Sequence, residues 1–329
     1  MKATAVANAN IALVKYWGKR NKDLILPFNS SISMTCDGLH TKTTIEFSDK
    51  YHEDTILVND EELKKDEKDV LGHVERIRKI AGVHQKAKII SESNFPVAAG
   101  LASSASGLAA LTLAATKAAG LHLSERELTM LARMGSGSAS RSFCEGFAEW
   151  HKGHKDDGTD SYAESIGPKN HWPEFRMLAC IVSESMKPVS SRAGMAQTVA
   201  NCPFYEGWLK SVDADLDAVR NGIKHKDFTA VGSTAEKNAL KMHATMMTTT
   251  PSIIYWTPAT VAVMHSVMHW REEGLESYFT MDAGPQVKIL CLEKDVHEIQ
   301  RRLESLDSIK KTILCKPGDA ARLVDDHLF

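Results

Sequence analysis

The sequence predicts a chain of mixed helix and strand in two domains, and three observations carry that expectation. With 329 residues the chain exceeds the roughly 100–200 residues of one domain, so two cores are expected. Between residues 86 and 115 a strand pattern, a run of small residues and an alanine-rich helix follow one another directly. The second half carries helical spacing and returns to strand patterns only near its end, with the change of domain expected around Pro188.

Composition narrows the class. Hydrophobic residues make up 43% and charged residues 25%, as in ordinary soluble globular proteins. The 40 basic and 42 acidic residues leave a net charge of −2, which gives no electrostatic case for nucleic acid or a membrane surface. A local basic pocket for an anionic metabolite stays compatible with that balance. Residues Met1–Asn8 lack the apolar core of a signal peptide, and no run of 18 apolar residues exists to span a membrane. Cys36, Cys144, Cys180, Cys202, Cys291 and Cys315 are scattered without a C-x-x-C pair, which is expected of reduced thiols in a cytoplasmic enzyme.

Taken in order, residues 3–7 suit a short strand. Lys15, Lys19 and Arg20 then fall within six residues, interleaved with Tyr16, Trp17 and Gly18. They suit a solvated rim or a cationic wall for a phosphorylated substrate, with Tyr16 supplying a hydroxyl. Asn29–Thr35 and Thr41–Phe47 alternate polar and apolar residues, and Asp37-Gly38 between them predicts a hairpin turn. Residues 59–69 are a charged loop and helix start. Val70, Leu71, Val74, Ile77, Ile80 and Ala81 keep helical spacing up to Gly82, and Lys86–Ser91 is a further strand.

From Ala98 to Gly107 every residue except Leu101 is Ala, Gly or Ser. Such a run leaves the main chain open to close approach, and it feeds Leu108–Ala115, a segment of high helix propensity. The first turn of that helix carries unpaired N–H groups at the positive end of its dipole, a site for an anion and above all a phosphate. The competing reading is a tight turn and a closely packed core helix. Neither G-x-x-x-x-G-K-[ST] nor G-x-G-x-x-G spacing is present here.

Ser124–Glu127 form a capping box for a helix through Met134. Gly135–Ser142 then places Arg141 alone among seven small residues, either tying two loops together or presenting its planar fork to a carboxylate or phosphate. His151–Gly158 is a polar exposed loop, Phe175–Val182 a buried strand, and Ser190–Met195 groups hydroxyls with Arg192 near a helix start. Val212, Leu216, Val219 and Ile223 form one apolar helix face. Pro258 opens a helix bearing Val261, Val263, Met264, Val267 and Met268 that stops at Gly274. On it His265 and His269 have metal-compatible spacing, but no Glu follows His265, so they are taken as structural. Ser277–Met281 is a strand running into Asp282-Ala283-Gly284-Pro285, where Asp282 is either a turn former or a carboxylate facing a pocket. Strand Val287–Leu292, a helix with Val296, Ile299 and Leu303, and strand Thr312–Cys315 follow.

Pro96, Gly100, Leu101, Ser103, Ser104 and Ala105 resemble the phosphate loop of the GHMP superfamily of small-molecule kinases. Blocks spread over nearly the whole chain resemble one family within it, the ATP-dependent mevalonate diphosphate decarboxylases. These are Asn10–Lys19, Leu26–Ser33, Asn94–Gly107, Gly135–Ser142, Pro188–Met195 and Tyr278–Pro285, in family order. The resemblance implies an α+β GHMP kinase fold with the active site in a cleft. An ATP-binding domain over 1–187, with phosphate loop 96–107, would adjoin a ferredoxin-like domain over 188–329. The implied reaction converts mevalonate 5-diphosphate and ATP to isopentenyl diphosphate, ADP, phosphate and CO2 through a 3-phospho intermediate.

The same resemblance implies the site. Asp282 orients or deprotonates the tertiary hydroxyl, Lys15 keeps that carboxylate ionised, and Arg141 with Ser138 holds the substrate carboxylate. Tyr16, Lys19, Ser136, Ser191, Arg192, Met195 and Ala283 surround the substrate. Ser91, Ser93, Pro96, Gly100, Leu101, Ala102, Ser103, Ser104, Ala105 and Ser106 bind ATP, with Mg2+ carried on the nucleotide. A cytoplasmic homodimer acting on phosphorylated mevalonate is implied, with no nucleic-acid or membrane partner. Ser93 and Gln286 stand where family members often have Asn, and Ala139-Ser140 replaces a common Ala-Cys. These departures leave open a decarboxylase of mevalonate 5-phosphate or 3,5-bisphosphate; a 3-kinase and a non-enzymatic nucleotide binder are the remaining alternatives.

Overall fold

A computed structural model describes residues 1–62, 68–95, 101–183, 185 and 187–329. The chain opens with β1 (Lys2–Val14), β2 (Lys19–Asn21), β3 (Leu26–Pro27), β4 (Ser31–Ser48), β5 (Thr55–Val58) and β6 (Glu61–Glu62). Next come α1 (Lys68–Ala81), β7 (Lys86–Ser93), α2 (Ser103–Ala118), α3 (Glu125–Arg133), a 3-10 turn at Gly137–Phe143, β8 (Phe147–Trp150) and β9 (Ala163–Gly167). β10 (Phe175–Ile181) leads to α4 (Ser191–Asn201), α5 (Tyr205–His225), α6 (Phe228–Met247) and α7 (Pro258–Glu272). The chain closes with β11 (Tyr278–Met281), β12 (Val287–Leu292), α8 (Val296–Glu304), β13 (Lys311–Cys315) and β14 (Arg322–Val324).

Two main sheets result. The larger runs β14-β1-β4-β7-β5-β6, with β8 on β4 and β9 on β8; the smaller runs β11-β12-β10-β13. β10 already belongs to the smaller sheet, between two strands from the end of the chain. Helix α2 lies against β1 and β4, and α6 touches both β1 and β11, so one helix bridges the two sheets. A single apolar cluster accordingly draws on Ile11 and Leu13 of β1, Phe175 and Met177 of β10, Val212 of α5 and Met242 of α6. Mixed helix and sheet in two segregated parts is the α+β organisation expected. Among the described residues no helix is long and apolar enough to cross a membrane.

Several elements depart from the sequence reading. The expected hairpin at Asp37-Gly38 is instead one strand, β4, pairing with β8 through Ser31–Met34 and with β7 through Thr41–Ser48. A register shift against β1 falls between Asn8 and Ala9, where partners jump from His40 to Cys36. The extra residues are held from outside: Asp37 N–H donates to Lys316 O at 3.2 Å, and Lys316 N–H donates to the Asp37 carboxylate at 2.8 Å. The turn-forming dipeptide therefore makes a bulge, because a segment 279 residues away supplies its partners. The first strand is also longer than 3–7, reaching Val14 beside the site. On α7 the buried face is Val263, Met264, Val267 and Trp270; Met268 is exposed, as are His265 and His269. The two histidines stand in solvent, and no metal-holding group occurs among the described residues.

Other expectations hold in detail. Ser124 accepts from Glu127 N–H while the Glu127 side chain accepts from Ser124 N–H, completing the capping box. Pro258 occupies the first turn of α7, Gly82 ends α1 with φ 65°, and all six cysteines are free thiols.

Candidate active site

A cavity of about 630 Å³ opens where β1, α2, the 3-10 turn, the start of α4 and the β11–β12 turn converge. Its acidic centre is Asp282, set at the C-terminal end of β11 by the turn that returns the chain into β12. The Lys15 ammonium, just beyond β1, donates to Asp282 Oδ1 at 2.8 Å and to Ala12 O at 2.7 Å. Its backbone N–H donates to Asn238 Oδ1 at 2.7 Å, so α6 fixes the lysine at its base. His243 of the same helix donates Nε2–H to Asp282 O at 3.1 Å. Burial holds that imidazole neutral, down to about 3.

Burial would push the Asp282 carboxyl up, but the ammoniums of Lys15 and Lys288 overcome it and hold the group well below the usual carboxylate range. Lys15 moves the other way. Burial lowers it to about 8 against the raising effect of Asp282, with Lys288 and Arg141 lowering it further. Above about pH 8 the ammonium therefore loses its proton, and Asp282 loses the partner that fixes Oδ1. Turnover is expected to fall on an alkaline limb near pH 8, while Lys15→Arg, which cannot deprotonate in that range, should erase the limb in whatever activity survives. A pH–rate profile from 6 to 10 checks this; a limb unmoved in Lys15→Arg excludes Lys15 as its source.

Arg141 sits in the 3-10 turn, which replaces the open small-residue loop expected over Gly135–Ser142. Its guanidinium is buried and held by neutral oxygens: Nε donates to Asn10 Oδ1 and Ser33 Oγ, both at 3.0 Å, and Nη1 donates to Ser31 Oγ at 2.6 Å. Asn10 in turn donates to Ser138 O at 2.9 Å and Ser142 Oγ at 2.8 Å, tying β1 to the turn. Among the described residues Nη2 has no acceptor. Burial brings the guanidinium down to about 10. A buried cation braced on one side and without an anionic partner on the other is costly unless a ligand supplies the anion. Tyr16 lies beside it, its ring edge-on to Trp150 at 4.7 Å, and among the described residues its buried hydroxyl has no partner.

The structure brings most of the sequence-selected residues to this cavity. Lys15, Tyr16, Lys19, Ser136, Ser138, Arg141, Ser191, Arg192, Met195, Asp282 and Ala283 line it, as do Ser91, Ser93, Ala102, Ser103 and Ser104 at the α2 end. Ser136 and Ser138 hydroxyls lie 3.2 Å apart, and Arg192 donates to Gly135 O at 3.3 Å. Ala102 enters α2 in the left-handed region (φ 59°), and among the described residues no side chain caps that end of the helix. Leu101, Ala105 and Ser106 do not reach the cavity: all three are buried, and Ser106 Oγ is bonded to Thr41 Oγ1 of the cavity wall at 2.8 Å. Pro96 and Gly100 of the expected phosphate loop lie outside the described residues.

Three contributors escaped the sequence reading. Asn10 was within a selected block but was given no role. Lys187, whose Nζ donates to Ser191 Oγ at 2.6 Å and Ala283 O at 3.2 Å, lines the cavity from the segment before α4. Lys288 is buried in β12, and its place as the one charged residue among Val287, Ile289, Leu290, Cys291 and Leu292 was the available signal. Beyond the cationic end the cavity wall is apolar, with Ile56, Val58, Ile89, Leu108 and Leu111, a surface suited to a flat aromatic ring.

Comparison with known proteins gives matches over both halves of the chain. A model of the diphosphomevalonate decarboxylase-like N-terminal domain matches residues 7–163, and one of the mevalonate 5-diphosphate decarboxylase C-terminal domain matches 177–320. The human diphosphomevalonate decarboxylase is 35% identical over 314 residues, covering 90% of this chain and 78% of that protein. Two solved structures cover 98% of this chain and 99% of their own. One, a mevalonate diphosphate decarboxylase from Enterococcus faecalis, is 42% identical with a TM-score of 0.92. The other, MDDEF in complex with MVAPP, AMPPCP and magnesium, is 43% identical with a TM-score of 0.93.

Proposed function

The chain belongs to the diphosphomevalonate decarboxylase family, and from that premise we propose that its cavity carries out ATP-dependent decarboxylation of mevalonate diphosphate. The products are isopentenyl diphosphate, ADP, phosphate and CO2. One observation carries the reading: the Lys15–Asp282 ion pair stands beside a buried Arg141 whose protein partners are all neutral, in the same cavity as the first turn of α2.

Each residue then has a role its chemistry supports. Asp282 accepts the hydrogen bond of the substrate's tertiary hydroxyl and aims its oxygen at the terminal phosphorus of ATP. A carboxylate held so far down is a weak base, so it takes the proton only as the new O–P bond forms and the bond to ADP breaks. Lys15 keeps Asp282 charged and offsets negative charge gathering on the transferring group. Arg141, with Ser138 beside it, holds the substrate carboxylate through Nη2. When the tertiary C–O bond breaks and phosphate leaves, the electron pair of the carboxylate-bearing C–C bond forms the alkene and CO2 departs. Lys19, Tyr16, Ser136, Ser191, Arg192, Met195 and Ala283 surround the diphosphate and carbon chain.

ATP meets the amides at Ala102–Ser104 with its phosphates and the apolar wall with its ring; Ser91 and Ser93 flank it. Magnesium, arriving on the nucleotide, supplies charge neutralisation of the phosphates. The division into domains 1–187 and 188–329 and the homodimer rest on the resemblance. The cytoplasmic location is supported by six unpaired thiols, which suit a reducing compartment.

Offering ATP with mevalonate, its 5-phosphate and its 5-diphosphate separately tests the proposal. The diphosphate alone is expected to release ADP and CO2 in equal amounts. ADP without CO2 would make the protein a kinase, and CO2 from the monophosphate would reassign its substrate.

A further inference from the structure

Lys288 is 0% exposed within β12, a strand whose neighbours Val287, Ile289, Leu290 and Cys291 are buried and apolar. Burying an ammonium there is costly, and a leucine or methionine would fill the space without desolvation. The strand register explains what it meets. Thr280 pairs with Lys288 across β11 and β12, and the two-residue alternation of a strand places 280, 282 and 288 on one face. Phe279, Met281, Val287 and Ile289 occupy the other face, in an apolar cluster under α7. On the polar face Lys288 Nζ lies 3.3 Å from Asp282 Oδ2, while Lys15 Nζ lies 2.8 Å from Oδ1.

The two oxygens are not equivalent. Oδ2 is fully buried and accepts no hydrogen bond among the described residues, so its contact with Lys288 is an ion pair, while Lys288 Nζ donates to Gln286 O at 3.4 Å. The Asp282 side chain keeps 24% of its surface exposed, so the carboxylate presents its Oδ1 side to the cavity. Lys288 is absent from the cavity wall and has no access to a ligand there. We propose that Lys288 is a positioning residue for the decarboxylation reaction: it anchors the inner oxygen of Asp282, so that the outer oxygen, shared with Lys15, faces the substrate hydroxyl. This rests on the function proposed above. The charged and titratable groups facing the cluster are Lys15 beyond β1, Arg141 of the 3-10 turn, His243 of α6, Lys187 before α4, Cys180 of β10 and Asp282 itself.

The arrangement has a signature that packing alone does not give. Lys288 also acts on Lys15 as a like charge, lowering its proton affinity. Lys288→Met keeps length and removes charge; it should release the carboxylate and let Lys15 hold its proton to higher pH. The expected result is kcat lower by about 10-fold, KM for both substrates within about twofold, and an alkaline limb displaced upward by about one pH unit, the size of a nearby-charge effect. Lys288→Arg, which keeps the charge, should recover most of kcat. Thermal melting of each variant confirms folding; in Lys288→Met the Asp282 carboxylate keeps Lys15 as its partner at 2.8 Å, so no buried charge is left uncompensated.

The outcomes separate the claims. Wild-type protein that releases no CO2 from ATP and mevalonate 5-diphosphate overturns the function and this role with it. An active wild type with Lys288→Met turning over at the wild-type rate overturns this role alone. So does a loss of kcat with the alkaline limb at or below its wild-type position, since that is the mark of disturbed packing.

Discussion

Asp282→Asn is expected to lower turnover by about 10²–10⁴, the span usual for a positioned general base. The amide keeps the shape of the carboxylate and can still meet the substrate hydroxyl, but it cannot take the proton as the O–P bond forms. It also strips Lys15 and Lys288 of an anion they share at 2.8 and 3.3 Å. Lys15, already down at about 8 by burial, loses the main influence that raises it and should shed its proton closer to neutrality. Nucleotide and substrate affinities are expected within a few-fold of wild type, because the hydrogen-bonding outline is unchanged. Single-turnover measurement of ADP and CO2, with binding followed separately, checks this. Turnover within about tenfold of wild type would show that Asp282 only shapes the turn after β11.

The second large effect belongs to Arg141. Truncating one member of a buried, hydrogen-bonded charge pair costs about 2–5 kcal/mol, or roughly 30-fold to several thousand-fold in affinity or rate. Arg141→Gln should lose that much in kcat/KM with mevalonate diphosphate while ATP binding and the melting temperature hold. The fold tolerates the change because the arginine's protein partners, Asn10, Ser31 and Ser33, are neutral groups that a glutamine amide can satisfy in part. Arg141→Lys keeps the charge but not the planar fork, so it should misplace the substrate rather than repel it. A substrate analogue lacking the carboxylate makes the comparison decisive, since wild type and Arg141→Gln should bind it about equally. Equal weakening of both ligands would place Arg141 on the diphosphate instead.

Much of this was legible before any coordinates, for identifiable reasons. Period and capping signals are local, so α1 up to Gly82, the Ser124 capping box, Pro258 at the start of α7 and the strands after Ser277 fall where the residues say. Asp37-Gly38 misled because a turn dipeptide is ambiguous until its backbone partners are known, and those partners lie near Lys316. Residues of the site that carry a compositional oddity stood out: Arg141 among small residues, Lys15 among aromatics, the small-residue run before α2. Asn10 and Lys187 carry none. Their roles depend on contacts with distant segments: Asn10 with Ser138 O at 2.9 Å and Ser142 Oγ at 2.8 Å, Lys187 with Ala283 O at 3.2 Å.

The sequence by itself determined the family and the reaction class, because the motif blocks that carry the resemblance are written along the chain. It named most of the polar residues that line the cavity and missed Asn10, Lys187 and Lys288. Spacing alone left open whether Asp282 turned the chain or faced a ligand, and whether Arg141 tied loops or held an anion; the resemblance implied the ligand role for both. Only the tertiary structure decided how these groups meet. It seats Asp282 between the ammoniums of Lys15, just beyond β1, and Lys288 of β12, brings Lys15 down to about 8 and leaves one edge of Arg141 without an anion among the described residues. Those properties are electrostatic and depend on distance and burial, which sequence spacing does not carry when the partners are 267 residues apart.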